Sequence, residues 1–345
     1  MPIRVGMLFD GNTERYGLLS ATGHLVSALD RDRVEVVGVF LSRGPSEEAI
    51  GPKCDEMVQL DAGSLPRMRT VRGGPRGAGR TARMLAHAAR SARMLAQRIP
   101  DLGLDVVHAH YWHTFLIGGL AARAAGVRSV WQLHGGFDHR GWASWGWDEL
   151  GGVLADRVLC ISRWVQGTLP PAWRERSTVL YNGVPIGRMR RESRRGEFRR
   201  RYGIPGEALL VGAFGGIIDR KGFEYFVEAA EIVRRSIPDV YFALVGDAVA
   251  GNVGSERLAA DLRERVSRTG WNERFLFTGR IPDAWRCMVD FDVVAMPSVP
   301  LPGDVSADFG EGFGLVAAEA MAQGAAVVVT RCGAAPEVVE DERSG

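Results

Sequence analysis

Residues 308–323 read DFGEGFGLVAAEAMAQ. Glu311 and Glu319 stand with seven residues between them, first Gly-Phe-Gly and then an apolar run. That run predicts a helix opening near Gly314. Glycines at a helix start let the backbone approach a ligand closely. The first N–H groups of a helix lack intrahelical partners, and with the positive end of the dipole they seat a phosphate. A carboxylate on the next turn cannot favour a phosphate, but it suits sugar hydroxyls, accepting two hydrogen bonds at once. Two carboxylates around a phosphate-seating helix start therefore point to a sugar nucleotide.

Upstream, the second half of the chain alternates strand and helix. Strands are expected over 208–214, 240–245, 275–278 and 291–296, and helices over 223–236, 255–269 and 284–289. Between the first strand and the first helix lies GGIIDRKG, residues 215–222, which places Arg220 and Lys221 where two cations can neutralise a diphosphate. Only two lysines, Lys53 and Lys221, stand among 43 Lys and Arg. Lys221 is thus a position where a compact ammonium, not a guanidinium, is called for.

The first half opens with an apolar strand over 3–9, the loop DGNT at 10–13, helical spacing at Leu18, Thr22, Leu25, Val26 and Leu29, and a strand over 34–40. This is a Rossmann-like start without the Gly-x-Gly-x-x-Gly fingerprint of dinucleotide binders. Residues 62–100 hold no acid and nine arginines. RGGPRGAGR, 72–80, predicts a flexible loop. Met84, Leu85, Ala88, Ala92, Leu95 and Ile99 then predict the apolar face of a helix. Its basic side suits either an anionic membrane or acceptor, or plain solvation.

Strands over 105–108 and 128–133 each end in histidine: His108, His110 and nearby His113 in one case, His134 in the other. No carboxylate or cysteine accompanies them at metal-ligand spacing. Carboxyl ends of parallel strands face the ligand crevice, so one crevice-facing histidine and two structural ones are expected. Phe137, Trp142, Trp145 and Trp147 follow, as stacking platforms for an acceptor or as core anchors. A strand over 157–161, a helix cap at Ser162 and a strand over 178–181 lead to Asn182-Gly183-Val184-Pro185, a turn. Eight arginines in residues 187–201 mark a composition shift that predicts a domain linker near residue 184, with a solvated basic segment behind it.

Composition bounds the rest. With 345 residues, 46% hydrophobic and 24% charged, the chain suffices for two globular domains. A net charge of +2 argues against a dedicated nucleic-acid binder. Cys54, Cys160, Cys287 and Cys332 are scattered, which fits a reducing compartment better than a disulfide framework. No uncharged apolar run approaches the ~18 residues of a membrane span. A cytoplasmic protein is expected, with a peripheral contact at the inner membrane face left open.

On the Asn182-Gly183-Val184 turn, Lys221-Gly222, Pro297-Ser298, Glu311-Gly-Phe-Gly with Glu319-Ala-Met-Ala, and Gly333-Ala-Ala-Pro336-Glu337, the chain resembles the family-4 retaining glycosyltransferases of the GT-B fold. The resemblance implies an α/β protein of two Rossmann-like domains facing across a cleft. Residues 1–184 would bind the acceptor and 185–345 a UDP-, GDP- or ADP-linked sugar. His134, Glu311 and Lys221 would be catalytic. Arg220, Lys221, Gly246, Glu311, Gly312, Phe313, Gly314, Leu315 and Glu319 would hold the donor, Lys221 at the diphosphate, Glu311 at the sugar and Glu319 at the ribose. Gly11, Asn12, His110 and His134 would line the N-terminal side. Transfer of a hexosyl-type sugar to an acceptor hydroxyl would retain configuration, without metal or cofactor. A non-catalytic sugar-nucleotide-binding or scaffold protein and a GT-B epimerase are the alternatives.

Three departures stand out. Gly216 occupies a position where the family commonly has Arg. Twelve residues, 299–310, separate Ser298 from Glu311, more than usual, and suggest an acidic loop over the site. The chain also stops at Gly345, soon after Pro336-Glu337, where the family continues, as a truncated chain would.

Overall fold

Strands such as VEVVGVF and YFALV are apolar on both faces, and a strand of that kind is at home only where helices cover a parallel sheet on two sides. The computed structural model describes residues 1–11, 16–63, 75–110, 112–137, 151–300 and 310–345. They form two units, Met1–Gly183 and Val184–Gly345.

The first unit runs β1 (Ile3–Phe9), α1 (Tyr16–Ala28), β2 (Val34–Phe40), α2 (Pro45–Ile50), β3 (Glu56–Gln59), α3 (Pro75–Arg98), β4 (Val106–Ala109), α4 (Trp112–Ala125), β5 (Arg128–Leu133), β6 (Arg157–Cys160), α5 (Arg163–Gly167), α6 (Pro171–Arg174) and β7 (Ser177–Val179). All its strand pairs are parallel, in the order β3-β2-β1-β4-β5-β6-β7. The winding direction reverses between β1 and β4. At such a switch point the carboxyl ends of the strands open a crevice. Met7, Phe9, Leu18, Leu19, Val26, Val36, Phe40 and Ile50 fill one face of this sheet. Behind β5, Trp131 stacks on Phe115 with centroids 4.9 Å apart and meets Trp173 edge-on at 5.3 Å.

The second unit runs α7 (Ile186–Glu192), α8 (Glu197–Tyr202), β8 (Leu210–Phe214), α9 (Phe223–Ser236), β9 (Tyr241–Val245), α10 (Val253–Arg268), β10 (Phe275–Gly279), β11 (Val293–Met296), α11 (Leu315–Gln323), β12 (Ala326–Val329) and α12 (Ala335–Val338). Its five strands pair in parallel in the order β10-β9-β8-β11-β12, so the switch falls between β8 and β11. Alternation along the strands divides the core. Ala243 and Val245 join the cluster under α11, whereas Phe242 and Leu244 join the one under α9 and α10.

Several expectations need correction. The basic segment 187–201 is not merely solvated: it folds into α7 and α8, whose Met189 and Phe198 are 0% and 3% exposed in the core. Asp290 holds α8 by accepting hydrogen bonds from the amides of Gly196 and Phe198. Arginine density hides two amphipathic turns with one apolar anchor each. Residues 75–80, expected in a loop, have helical backbone at the start of α3. On that helix Ala88, Ala92 and Leu95 are buried, as is Ile99 just beyond its end, but Leu85 is 48% exposed. Helix α2 and strand β3 are additions to the expected elements, each being too short to show a period. The helix expected at 284–289 is a 3₁₀ turn, Ala284–Asp290. Ser162 does cap α5, its hydroxyl accepting from the Val165 amide at 3.0 Å.

Candidate functional site

In the second unit the side chains of interest gather at the β8/β11 switch. The segment after β8 closes into a 3₁₀ turn, Asp219–Lys221, ended by Gly222. Gly222 has φ 62°, and a Cβ there would lie 2.0 Å from the Pro297 carbonyl oxygen. Only glycine lets this turn rest on the end of β11. The Val299 amide then donates to the Arg220 carbonyl at 3.0 Å. Lys221 and Ser298, far apart in sequence, are thereby brought to the same point.

Glu311 joins them there. Lys221 Nζ donates to Glu311 Oε2 at 2.7 Å, and Ser298 Oγ donates to the same oxygen at 3.0 Å. The lysine and glutamate side chains are 16% and 13% exposed. Burial by itself would raise the Glu311 carboxyl, but the Lys221 ammonium, with Arg220 and the Ser298 hydroxyl, holds it below its ordinary value. The Glu311 backbone is fixed from the other side: its carbonyl accepts from the Ala334 amide at 2.7 Å.

Three residues on, Gly314 adopts φ 96°, ψ 49° and starts α11. The first bonds of the helix run from the Ala317 and Ala318 amides to the Gly314 carbonyl, so Leu315 and Val316 supply the leading amides. Phe313 and Glu319 are 7% and 9% exposed. Gly246, at the end of β9, packs so closely that a Cβ would fall 1.8 Å from the Gly215 carbonyl oxygen. Gly216, by contrast, has room: the nearest atom that an added Cβ would meet, on Val249, is 3.6 Å away.

Three histidines of the first unit, His108, His110 and His134, form a column at the ends of β4 and β5. His110 stacks on Phe9, with centroids 4.9 Å apart and planes 7° from parallel. His108 lies against its ring at 4.1 Å. His110 Nδ1 and His134 Nε2 share a hydrogen bond of 3.4 Å. His108 and His110 are 6% and 1% exposed, and His134 is half-buried. Burial pushes all three down from the ordinary imidazole value, His108 to about 4, His134 to about 3 and His110 well below normal, so the column is neutral at pH 7. His110 is therefore an interior residue and not a surface contact; His134 is partly exposed as a residue, although its Nδ1 is buried.

Gly11 lies at the end of β1. A Cβ on it would meet the Ser42 carbonyl oxygen at 1.8 Å, and the Ser46 hydroxyl donates to its carbonyl at 3.0 Å. Phe137 packs on Trp173 at 4.8 Å as a core anchor. Asn12, the side chain of His113, Trp142, Trp145, Trp147 and residues 301–309 of the acidic segment lie outside the described residues. Among those described, no group of three His, Cys, Asp or Glu side chains could hold a metal ion.

Ser298, read in the sequence only as part of the Pro297-Ser298 strand end, has no site role there. Its place at the end of β11, across the switch from Lys221, is the signal that could have found it. Thr330 in turn donates from its hydroxyl to the Ser298 carbonyl, tying the end of β12 to the site.

Comparison with known proteins matches residues 208–345 to the family described as glycosyl transferases group 1 and residues 17–188 to glycosyltransferase family 4. Among curated relatives, a GDP-mannose-dependent alpha-(1-6)-phosphatidylinositol monomannoside mannosyltransferase of Mycolicibacterium smegmatis is 32% identical over 246 residues, 67% of this chain and 59% of that one. A D-inositol 3-phosphate glycosyltransferase of Streptomyces scabiei is 28% identical over 260 residues, 70% of this chain and 56% of that one. The match thus spans less than two thirds of either relative. Among solved structures, Anabaena HepE in complex with UDP and glucose superposes with a TM-score of 0.71 at 22% identity, covering 98% of this chain and 83% of that one. A glycosyltransferase from Rickettsia africae superposes with a TM-score of 0.76 at 14% identity, covering 99% and 82%. No helix among the described residues is long and apolar enough to cross a membrane.

Proposed function

The chain belongs to the family-4 glycosyltransferases of the GT-B fold, and from that premise we propose that it moves a hexosyl sugar from a nucleotide-sugar donor to an acceptor hydroxyl with retention of configuration. The observation that carries this reading is the convergence of Lys221, Glu311 and Ser298 beside the opening of α11, at the carboxyl ends of β8 and β11. A lone exposed Lys-Arg pair would not explain a buried carboxylate three residues before a helix start.

Breaking the bond between the sugar and its diphosphate leaves negative charge on the departing phosphate oxygen. Lys221, Arg220 and the leading amides of α11 are preorganised to stabilise that charge as it grows. Glu311 accepts from hydroxyls of the sugar, and Glu319 from those of the ribose. Arg220 takes the phosphate role that an Arg at position 216 would otherwise fill. His134 offers its imidazole to a sugar oxygen. Retention follows if the acceptor attacks on the face the diphosphate leaves and a diphosphate oxygen takes the acceptor proton. Such a transfer uses no resident metal or cofactor. HepE is named in complex with UDP, and the mycobacterial relative is named for GDP-mannose. These names support a nucleotide-sugar donor and leave the base open between uracil and guanine.

The donor class is tested by thermal shift with UDP, GDP, ADP and TDP and their sugars. A true donor nucleotide at ~100 times its Kd adds roughly 2.7 kcal/mol of stability. No shift with any of them would overturn the donor reading. Glu319→Ala is expected to weaken binding of the stabilising nucleotide by about 1.5–3 kcal/mol, the value of hydrogen bonds to a charged acceptor. Unchanged affinity by calorimetry would remove Glu319 from the ribose.

A further inference from the structure

We propose that Ser298 is the positioning residue of the candidate site: its hydroxyl fixes the orientation of the Glu311 carboxylate. For what that carboxylate then meets, this rests on the transfer function above. For the positioning itself, it rests on the geometry of the second unit alone.

The Glu311 carboxylate takes two donors, and both fall on one oxygen. Lys221 Nζ gives a hydrogen bond to Oε2 at 2.7 Å, and Ser298 Oγ gives another at 3.0 Å. An ionised carboxylate has about two acceptor positions on each oxygen, so those of Oε2 are both occupied. Any further hydrogen bond that Glu311 accepts falls on Oε1. The direction of Oε1 is therefore set by whatever holds Oε2.

The two donors are unequal as holders. Lys221 carries its ammonium on a flexible four-carbon stem. In the transfer reading that ammonium also turns to the diphosphate of an arriving donor. Ser298 has a single carbon before its hydroxyl and is 3% exposed. Its backbone is held on both sides. The Val299 amide donates to the Arg220 carbonyl at 3.0 Å, and the Thr330 hydroxyl donates to the Ser298 carbonyl. Just before it, Gly222 packs so closely that an added Cβ would lie 2.0 Å from the Pro297 carbonyl oxygen. The Ser298 hydroxyl thus reaches Glu311 from a fixed point, and it keeps the carboxylate in place while Lys221 engages phosphate. Most side-chain hydrogen bonds go to backbone or water, whereas this one goes to a side chain 13 residues away in sequence.

Calorimetry on the full chain compares UDP with UDP-glucose and GDP with GDP-mannose. In the transfer reading Glu311 touches the sugar, so only the sugar nucleotides sense its orientation. In Ser298→Ala the affinity for the nucleoside diphosphate that binds should stay within about 3-fold, while that for its sugar ester should fall by roughly 10-fold or more, the value of a hydrogen bond to a charged group. A purely structural role for Ser298 would lower both alike. Equal loss, or no loss, overturns the proposal. Ser298→Cys, similar in size and a weak donor, gives the same reading should the alanine variant fail to fold.

A second arm needs no ligand. By chemical denaturation, Ser298→Ala should lower the folding equilibrium constant by roughly 10-fold or more in the wild-type background. In Lys221→Met with Glu311→Leu, where the carboxylate and its countercharge are both gone, the same change should act by less than about 3-fold. Equal effects in the two backgrounds overturn the proposal. Should the coupling appear while no nucleotide binds the wild type, the transfer function fails and the positioning inference stands.

Discussion

Lys221→Ala is expected to destabilise the second unit by about 3–5 kcal/mol, the usual cost of removing one partner from a buried ion pair. It is also expected to lower kcat by roughly 10²–10³, the cost of losing one preorganised group at developing charge. The first effect follows from the pair itself. Both side chains are less than a fifth exposed, at 16% and 13%, so the Glu311 carboxylate left behind cannot simply rehydrate. The second follows from where the ammonium sits, between the 3₁₀ turn and the opening of α11. A double variant separates them. Lys221→Met with Glu311→Gln removes both charges and should fold to within about 1 kcal/mol of wild type, as neutral replacements of buried pairs often do. It should remain inactive. Wild-type turnover in Lys221→Ala would sink the assignment of the lysine to the diphosphate.

The same pair gives a pH signature. The Glu311 carboxyl titrates below its ordinary value of 4.5, burial being outweighed by the Lys221 charge. A carboxyl depressed in the folded state contributes stability that is fully present above the unfolded value and is lost as pH falls through the folded one. The stability difference between wild type and Glu311→Gln should therefore be constant at neutral pH and shrink only below 4.5. A difference that changes instead between about pH 6 and 8, where an unperturbed histidine titrates, would mean that another group controls it.

Gly333→Ala is the second large effect. Gly333 has φ 60°, and its added Cβ would fall 2.3 Å from the Glu311 carbonyl oxygen and 2.5 Å from the Glu311 amide nitrogen. Backbone strain and overpacking each cost about 1–3 kcal/mol, so a loss of roughly 2–6 kcal/mol is expected in chemical denaturation. Because the clash is with the Glu311 backbone, donor affinity should fall with it. Gly324→Ala is the control. Its φ is 87°, but its Cβ would meet nothing within 4 Å. It should show the strain alone and keep its affinity for donor. Equal behaviour of the two variants would mean that Gly333 does not hold Glu311 in place.

Much of the architecture is legible in the sequence because parallel strands advertise themselves. The spans expected at 3–9, 34–40, 128–133 and 223–236 match β1, β2, β5 and α9 end to end. β1 and β2 are largely apolar on both faces, and α9 is periodic over several turns. The basic segment at 187–201 misleads for the opposite reason. Its burial depends on Met189 and Phe198 alone, and eight arginines mask two apolar residues in any window average. Within the candidate site, residues close in sequence are easy to group, as with Glu311 and Gly314. The contacts of Lys221 with Glu311 and of His110 with His134 are not, because each depends on how two strands of one sheet align. Register is a tertiary property, and the His110–His134 bond exists because β4 pairs with β5 in the alignment that sets His108 opposite Val130.

The strand order has a consequence for synthesis. In the second unit β8 is central, yet its partner β11 is encoded far downstream: Val211 pairs with Val293, 82 residues later (293 − 211). At ribosomal rates of ~5–20 residues per second, β8 waits roughly 4–16 s for that neighbour. Through this interval one edge of an apolar parallel strand is unpaired on the nascent chain. The Lys221–Glu311–Ser298 cluster, which needs both strands, is therefore among the last features of the unit to assemble. Slow codons or chaperone occupancy over residues 211–293 would act on the yield of active protein without touching the stability of the finished molecule.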